Sequence, residues 1–214
     1  MRRGALVRSD QLCRLSDGGR AALVAHGVRT VIDLRNAAEA EKDPDPILHE
    51  HGVDYLLIPQ QDDQLWRQPE WVARTRSERD ALVLDRRAEH IAAMARAVAN
   101  AVPGGVLIHC LAGKDRTGIA VAMLLGLVGV SEADIAADYS LSTANLAAEL
   151  AAALAAAPDD EERARLERSY DASAETMLKT LAHLRVRHGG AKAYLIRAGL
   201  SDADIERIRV RLLD

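Results

Sequence analysis

Only two cysteines, Cys13 and Cys110, occur in the 214 residues of this chain, which argues against a disulfide framework and favours a reducing compartment. Uncharged apolar runs stay short of the roughly 18 residues that a membrane-spanning helix needs. Charged side chains interrupt the N-terminus before the apolar core of a signal peptide could form. The sequence therefore predicts a cytoplasmic protein with no integral membrane segment, while export without a cleaved signal stays open.

Neither sign of charge is in marked excess, because 28 basic and 32 acidic residues give a formal net charge of -4. This balance gives no electrostatic reason to expect nucleic acid or a membrane surface as a partner. The sequence also lacks a linker rich in proline, glycine or serine, so we expect one domain over residues 1–214. The oligomeric state is not indicated.

Apolar runs of strand length alternate with apolar patterns of helical period through the first half of the chain. Strands are predicted at 5–8, 28–34, 54–58 and 106–108, and helices at 17–25, 81–99 and 119–128. The sequence after about residue 130 contains only helical patterns, at 132–140, 145–157, 173–187, 194–198 and 201–213. This order predicts an α/β three-layer sandwich with a mostly parallel sheet of about four to five strands, helices on both faces and an all-helical C-terminal half.

Charged side chains follow two of the predicted strands. Asp33 and Arg35 come at the end of the strand over 28–34, where they either help to order a site or form an ordinary structural ion pair. The strand over 54–58 is followed by Pro59 and the acidic loop 60–63. In α/β folds ligands gather at the carboxyl ends of strands, so both positions are candidates for a functional site.

The stretch 106–118, with the sequence VLIHCLAGKDRTG, combines a strand, a glycine-containing turn and the start of a helix. Successive backbone N–H groups in such a turn point inward, and the helix dipole adds positive potential, so the turn is suited to hold an oxyanion. Cys110 lies at one end of the turn and Arg116 at the other. The amides of the five residues between them would surround a phosphoryl group, and these residues are Leu111, Ala112, Gly113, Lys114 and Asp115.

Cys110 is predicted to act as a nucleophile. The loop amides, the helix N-terminus, Lys114 and Arg116 would make its thiol acidic, and cysteines in such settings have pKa values of about 3.5 to 7.5. The planar fork of Arg116 can donate two N–H groups to two phosphoryl oxygens. Thr117 is expected to donate its hydroxyl to the sulfur, and His109 to orient the backbone of Cys110 through its ring.

A general acid should protonate the leaving oxygen, which usually accelerates such a step by about 10² to 10⁴. The first candidate is Asp62, because its loop leaves a neighbouring strand end. Asp63 is the second candidate, and Asp115, inside the loop itself, is the third. No metal or other cofactor is required, since Arg116 and the amides would supply the electrostatic stabilisation.

Three other interpretations of the cysteine loop compete with a phosphate-binding nucleophile. A nucleotide-binding Walker loop needs a glycine where this chain has Ile108 and a serine or threonine where it has Asp115, so that interpretation fails. A structural cysteine would have apolar neighbours instead of a charged loop. A sulfurtransferase also places a cysteine in an anion-binding loop, but nothing in the sequence favours a persulfide. Cys13 is expected in the core, with a reversible disulfide to Cys110 as the alternative.

The motif HCLAGKDRTG at 109–118 resembles the signature of cysteine-dependent protein-tyrosine phosphatases, and in particular their atypical bacterial branch. The resemblance extends to the strand end at 33–35 and to the C-terminal region. It implies the phosphatase fold, a nucleophilic Cys110, phosphate binding by Arg116, and hydrolysis of phosphotyrosine, with phosphoserine, phosphothreonine or phosphoinositides as further substrates. Lys114 and Asp115 accompany the broader specificity in that branch, and residues 65–79 and 145–170 are candidates for a lid. A phosphatase of small phosphorylated metabolites and a weakly catalytic phosphate-recognition module remain the alternatives.

Overall fold

Four parallel strands form one sheet in the computed structural model, which describes residues 1–45, 51–61 and 75–214. Across the sheet the strands stand in the order β1-β4-β2-β3. The central strand β4 is buried along its whole length and pairs with β1 and β2, which explains its continuous apolar sequence. The strand bounds are β1 (Leu6–Ser9), β2 (Val28–Asp33), β3 (Asp54–Leu57) and β4 (Gly105–His109).

Helices cover both faces of this sheet. Val106 and Ile108 of β4 belong to the larger apolar core, whereas Leu107 points into a smaller cluster with Val31 and Leu12 on the opposite face. The described residues form eleven α-helices: α1 (Asp17–Ala25), α2 (Ala37–Lys42), α3 (Arg76–Arg86), α4 (Ala88–Asn100), α5 (Asp115–Leu127), α6 (Glu132–Asn145), α7 (Ala147–Ala156), α8 (Asp160–Tyr170), α9 (Ala174–His188), α10 (Gly190–Arg197) and α11 (Asp202–Leu213). The predicted α/β layers and the helical C-terminal half are confirmed.

Short polar side chains begin several of the C-terminal helices. Ser131, Ser173 and Ser201 each accept a hydrogen bond from the backbone N–H three residues later, at the N-termini of α6, α9 and α11. Asp204 completes a capping box with Ser201, as its spacing predicts. Gly189 ends α9 in the left-handed region, with φ 77°. These local signals explain why the helix ends could be placed from sequence.

Two helix predictions need correction. The single helix predicted over 81–99 is divided into α3 and α4, because Arg87 leaves helical geometry and its Nε donates to the carbonyl oxygen of Gln60 at 3.2 Å. Helix α8 is absent from the predicted helices, since its sequence is dominated by charged residues and has no buried position that would produce an apolar period.

The two candidate lids have different outcomes. Residues 145–170 contain α7 and α8, which pack against each other. The other candidate, 65–79, lies outside the described residues apart from its last five positions, which begin α3. None of the described helices has the length and apolar character needed to cross a membrane.

Cys13 does not lie in the core, contrary to the sequence-based expectation. It is half-buried in a short 3₁₀ helix (Leu12–Arg14), and both it and Cys110 are free thiols. The residue of that helix that does enter the core is its neighbour Leu12.

Candidate active site

The carboxyl ends of the four parallel strands meet at one edge of the sheet, and the cysteine loop lies there. The loop follows β4 directly, and α5 begins at Asp115, so the backbone amides before it share the positive end of the helix. Cys110 is only 3% exposed, whereas the neighbouring Leu111 is 43% exposed. The thiol therefore lies at the bottom of the loop and not on its rim.

The shape of the loop depends on the end of β1. Gly113 has φ 62°, and a Cβ atom there would lie 2.7 Å from the backbone nitrogen of Asp10, so only glycine fits. Arg8 donates from Nη2 to the Gly113 carbonyl oxygen at 2.8 Å, and the Gln11 N–H donates to the Leu111 carbonyl oxygen at 3.1 Å. The end of β1 and the residues directly after it thus form the back wall of the cysteine loop.

Arg116 is held by a carboxylate that the sequence patterns did not reveal. Its Nη1 and Nη2 donate to Oε2 and Oε1 of Glu39 at 2.5 and 2.8 Å, a bidentate pair. Burial opposes the charge on Arg116, but the bonds to Glu39 and the nearby Cys110 raise its pKa above the ordinary value. The guanidinium is therefore kept charged, and its plane is fixed beside the cysteine loop.

Helix α2 places Glu39 for this contact. Asn36 and Glu39 form a capping box at the start of α2, in which the Asn36 N–H donates to Glu39 Oε2 at 2.9 Å. Burial of Glu39 would raise the pKa of its carboxyl, but the hydrogen bonds from Arg116 and Asn36 hold that pKa below its usual range. The Asn-x-x-Glu spacing after the strand end at 33–35 was the available sequence signal.

A buried polar cluster lies behind the cysteine. The guanidinium of Arg35 is fully buried between the carboxylates of Asp33 and Asp45, with N–O distances of 2.8 and 2.7 Å. The Tyr55 hydroxyl donates to Asp33 at 2.6 Å. Burial opposes ionisation of Asp33, but the hydrogen bonds from Arg35 and the charge at His109 hold its pKa below the ordinary value. Asp33 and Arg35 therefore form an internal ion pair that was one of their two predicted roles.

His109 connects this cluster to the cysteine, so the ion pair also adjoins the site. The imidazole is fully buried, with Nδ1 3.2 Å from the Cys110 carbonyl oxygen and Nε2 3.1 Å from Asp45 Oδ2. The ring thus contacts the Cys110 backbone, as expected from sequence. Atoms of Asp33, Asp45 and His109 have metal-ligand spacing, but the Arg35 guanidinium already supplies the positive charge between the two carboxylates.

Lys114 does not present its ammonium group to the anion site, which corrects the expectation for its side chain. Lys114 is 3% exposed, and its Nζ contacts the carbonyl oxygens of Ser169 and Asp171 at 2.7 and 3.1 Å and Asp115 Oδ1 at 3.0 Å. Burial lowers the pKa of this ammonium. With three acceptors for its three protons, Lys114 joins the loop to the end of α8, and only its backbone is available to a phosphate.

The side chain of Asp115 is also engaged by neighbours. Its Oδ2 lies 3.3 Å from Nη1 of Arg76, and its Oδ1 accepts from the Tyr139 hydroxyl at 3.3 Å in addition to the contact with Lys114. Both oxygens therefore act as acceptors for cationic or hydroxyl donors. This arrangement suits a structural anion at the start of α5 better than a proton donor to a leaving group.

Of the remaining predicted site residues, the structure describes Thr117 but not the two aspartates proposed as the general acid. Thr117 is fully buried, and its hydroxyl has no hydrogen-bond partner among the described residues, so the expected bond to the Cys110 sulfur is not formed. Asp62 and Asp63 lie outside the described residues. The chain preceding them is placed by hydrogen bonds from the Ile58 N–H to Asp33 and from the Gln60 N–H to Leu34, so it leaves the same edge of the sheet as the cysteine loop.

A cysteine and an arginine lie at the two ends of a loop between a central parallel strand and a helix N-terminus, an arrangement typical of phosphatases. The model of the tyrosine phosphatase family matches residues 1–214, and the chain belongs to this family. It is therefore an enzyme, as the sequence predicts.

Two curated relatives match over nearly the whole chain. A tyrosine-protein phosphatase of Nostoc commune is 33% identical, and the match covers 97% of this chain and 74% of the relative. The triple specificity protein phosphatase PtpB of Mycobacterium tuberculosis is 30% identical, and the match covers 100% of this chain and 92% of the relative. A putative tyrosine-protein phosphatase of Cupriavidus necator is also 30% identical, over 65% of this chain and 53% of the relative.

Proposed function

We propose that this enzyme hydrolyses phosphotyrosine in proteins through a phosphocysteine intermediate. The observation that carries the proposal is the pairing of a buried Cys110 with an Arg116 whose guanidinium is oriented by Glu39 at the end of the same loop. The loop amides and Arg116 bind the three non-bridging oxygens of the phosphoryl group and stabilise the charge on them in the transition state.

The first step transfers the phosphoryl group to sulfur. The Cys110 thiolate forms a bond to phosphorus while the bond from phosphorus to the ester oxygen breaks, and a carboxylic acid protonates that oxygen as the alcohol leaves. In the second step water attacks the phosphocysteine, the now ionised carboxylate accepts a proton from the water, and the products are inorganic phosphate and the thiolate. The proton balance thus closes over the two steps.

Replacement of the nucleophile tests the mechanism. Cys110→Ser should abolish turnover of an aryl phosphate, because a serine hydroxyl is not ionised at neutral pH and is a far weaker nucleophile than a thiolate. Steady-state hydrolysis of para-nitrophenyl phosphate measures this. Cys13→Ser is the matched control and should retain wild-type turnover. Activity persisting in Cys110→Ser would exclude the phosphocysteine route.

Asp62 is proposed as the general acid, with Asp63 as the alternative. Asp115 is the weakest of the three candidates because Arg76, Lys114 and Tyr139 already contact its carboxylate. Asp62→Asn should slow substrates with poor leaving groups by about 10² to 10⁴ and activated aryl phosphates far less, since only the former need protonation. A comparison of kcat for phenyl and para-nitrophenyl phosphate measures the difference. An unchanged ratio would assign the role to Asp63 or Asp115.

The proposal also extends to substrates other than phosphotyrosine. The name of the mycobacterial relative describes a triple specificity enzyme, which supports tests of phosphoserine, phosphothreonine and phosphoinositides alongside phosphotyrosine. A panel that also contains sugar and nucleotide phosphates separates this proposal from a metabolite phosphatase. The two free cysteines support a reducing compartment such as the cytoplasm, which cell fractionation tests.

A further inference from the structure

Two histidines and an aspartate converge at the surface between α3 and α9, away from the cysteine loop. Asp85 lies in the last turn of α3, and His183 and His188 belong to α9. The Nε2 atoms of His183 and His188 lie 2.9 and 2.6 Å from the same carboxylate oxygen, Asp85 Oδ1. One ligand atom from each residue lies within 4.8 Å of the other two. We call these three residues the histidine cluster.

We propose that the histidine cluster binds a zinc ion, or a similar first-row divalent metal ion, which links α3 to α9. Imidazole nitrogen and carboxylate oxygen are ordinary zinc ligands at about 2.0 to 2.2 Å, and donor atoms around a tetrahedral ion are therefore about 3.3 Å apart. The two observed separations from Asp85 Oδ1, 2.9 and 2.6 Å, are shorter than that value by less than 1 Å, so a small rotation of the Asp85 side chain away from the two rings admits the ion. Coordination uses the Nε2 lone pairs, and each neutral ring then carries its proton on Nδ1.

The surroundings of the histidine cluster hold the rings in place and leave a path for the ion. The ring of His188 makes edge contacts with Tyr194 at 5.1 Å and with His183 at 5.6 Å between centroids. The Tyr194 hydroxyl donates to the Leu84 carbonyl oxygen at 2.7 Å, so the tyrosine that contacts His188 is also bonded to α3 beside Asp85. The side chains of Asp85, His183 and His188 are 32%, 28% and 17% exposed. Water can therefore enter and occupy the fourth coordination position.

The metal would act on the scaffold and take no part in the reaction. Arg76, which contacts Asp115 of the cysteine loop, lies nine residues before Asp85 on α3, or about 13 Å along the helix axis. An ion that fixes the other end of α3 to α9 stabilises the helix that carries this contact. The proposal is independent of the phosphocysteine mechanism, because it is tested by binding and stability.

Isothermal titration calorimetry with zinc chloride tests the proposal in the Cys110→Ser chain, which removes the active-site thiol as a competing ligand. We expect one equivalent of zinc to bind, and a rise in Tm of about 5 to 10 °C at zinc concentrations roughly 100-fold above Kd. Cobalt added in place of zinc should give the visible absorption of a four-coordinate ion.

His183→Gln is the decisive variant, because the glutamine amide can still donate a hydrogen bond to Asp85 but is a poor zinc ligand. It should lose the binding heat, the Tm shift and the cobalt spectrum, and His188→Gln should do the same if the first variant folds poorly. His26→Gln, at the end of α1, is the matched control and should keep all three. Equal zinc binding in His183→Gln and its parent would overturn the proposal, as would the absence of saturable binding in the parent.

Discussion

At the scale of single residues, the site depends on charged side chains that are paired with one another and are fully or largely buried. The sequence motif was sufficient to propose Cys110 and Arg116 as site residues, because a cysteine and an arginine separated by five residues between a strand and a helix are typical of a phosphate-binding loop. It was not sufficient to identify Glu39, which reaches Arg116 across 77 positions of sequence. Local patterns contain no information on which distant carboxylate meets a given guanidinium.

Local sequence patterns also failed to give the direction of the Lys114 side chain. A lysine inside an anion-binding loop favours a contact with the anion when only the sequence is read. Its acceptors, the carbonyl oxygens of Ser169 and Asp171, come from the end of α8, a helix that the sequence patterns did not predict. The direction of the Lys114 side chain could therefore not be inferred without the tertiary structure.

Glu39→Gln tests whether the carboxylate orients Arg116. The amide cannot form the bidentate ionic pair, so kcat/KM for an aryl phosphate should fall by about 10- to 100-fold, the effect of losing a hydrogen bond to a charged group. Steady-state kinetics measure the change. Glu41→Gln is the matched control, because Glu41 lies exposed on the same helix, and it should stay close to wild type. Wild-type kcat/KM in Glu39→Gln would show that Arg116 is oriented without this contact.

At the scale of elements, α3 connects the cysteine loop to the C-terminal helices. Besides Arg76 it carries Asp80, which is 2% exposed and faces α9. The Thr180 hydroxyl lies 3.2 Å from Asp80 Oδ2 and 3.0 Å from the Thr176 carbonyl oxygen, and it has one proton for two acceptors. If Asp80 is protonated, its carboxyl group donates to the Thr180 hydroxyl, and that hydroxyl donates to the Thr176 carbonyl oxygen, so both hydrogen bonds have a proton.

Asp80 should therefore make the stability of the protein depend on pH. Burial, with the nearby charge of Asp115, raises the pKa of Asp80 to about 7. The pKa of an aspartate in the unfolded chain is about 3.9. At pH values between this pKa and the higher pKa of the native state, Asp80 keeps its proton in the native state and loses it on unfolding. The free energy of unfolding therefore declines as the pH rises through this range.

Urea unfolding at several values between pH 5 and 8 measures this effect. Relative to Asp80→Asn, which does not titrate, the wild type should lose on the order of 1 to 3 kcal/mol of unfolding free energy over that range. Asp160→Asn is the control, because Asp160 is exposed at the start of α8, and it should keep the wild-type pH dependence. Parallel stability curves for wild type and Asp80→Asn would contradict the assignment.

The division of the predicted helix over 81–99 also belongs to this scale. Its apolar positions continue with helical period across Arg87, so the sequence pattern alone does not reveal a break. The break is associated with a tertiary contact, the bond from the Arg87 side chain to the Gln60 backbone. By contrast, the starts of α6, α9 and α11 were predictable because their caps are local.

At the scale of the whole molecule, one apolar core extends from the sheet to the last helix. Ile32 and Ile108 of the strands belong to the same cluster as Tyr194, Ile208 and Leu212 near the C-terminus. Helix α11 packs on α4 and α5, and α5 begins in the cysteine loop. The layered architecture was predictable because each of these elements presents a clear apolar pattern, whereas the pairing of particular helices was not.

Ile208→Ala tests whether the C-terminal helices unfold together with the sheet, as expected for a single domain. Ile208 is fully buried, so its truncation should lower the free energy of unfolding by about 2 to 5 kcal/mol. Urea curves from far-UV circular dichroism and from residual activity should shift together. Val210→Ala, 49% exposed on the same helix, should change stability by less than about 0.5 kcal/mol. Two separate transitions would indicate that the helical half unfolds by itself.

The close approach of Gly113 to the end of β1 affects how the motif at 109–118 can be inherited and engineered. The ten residues 109–118 are contiguous, yet their back wall is supplied by residues synthesised about a hundred positions earlier. The motif therefore cannot be transferred to another protein by itself. Between another strand and helix it would lack the contacts of Arg8 and Gln11 that set the curvature of the loop. An insertion or shift of register in the first strand should damage the loop as surely as a change within it.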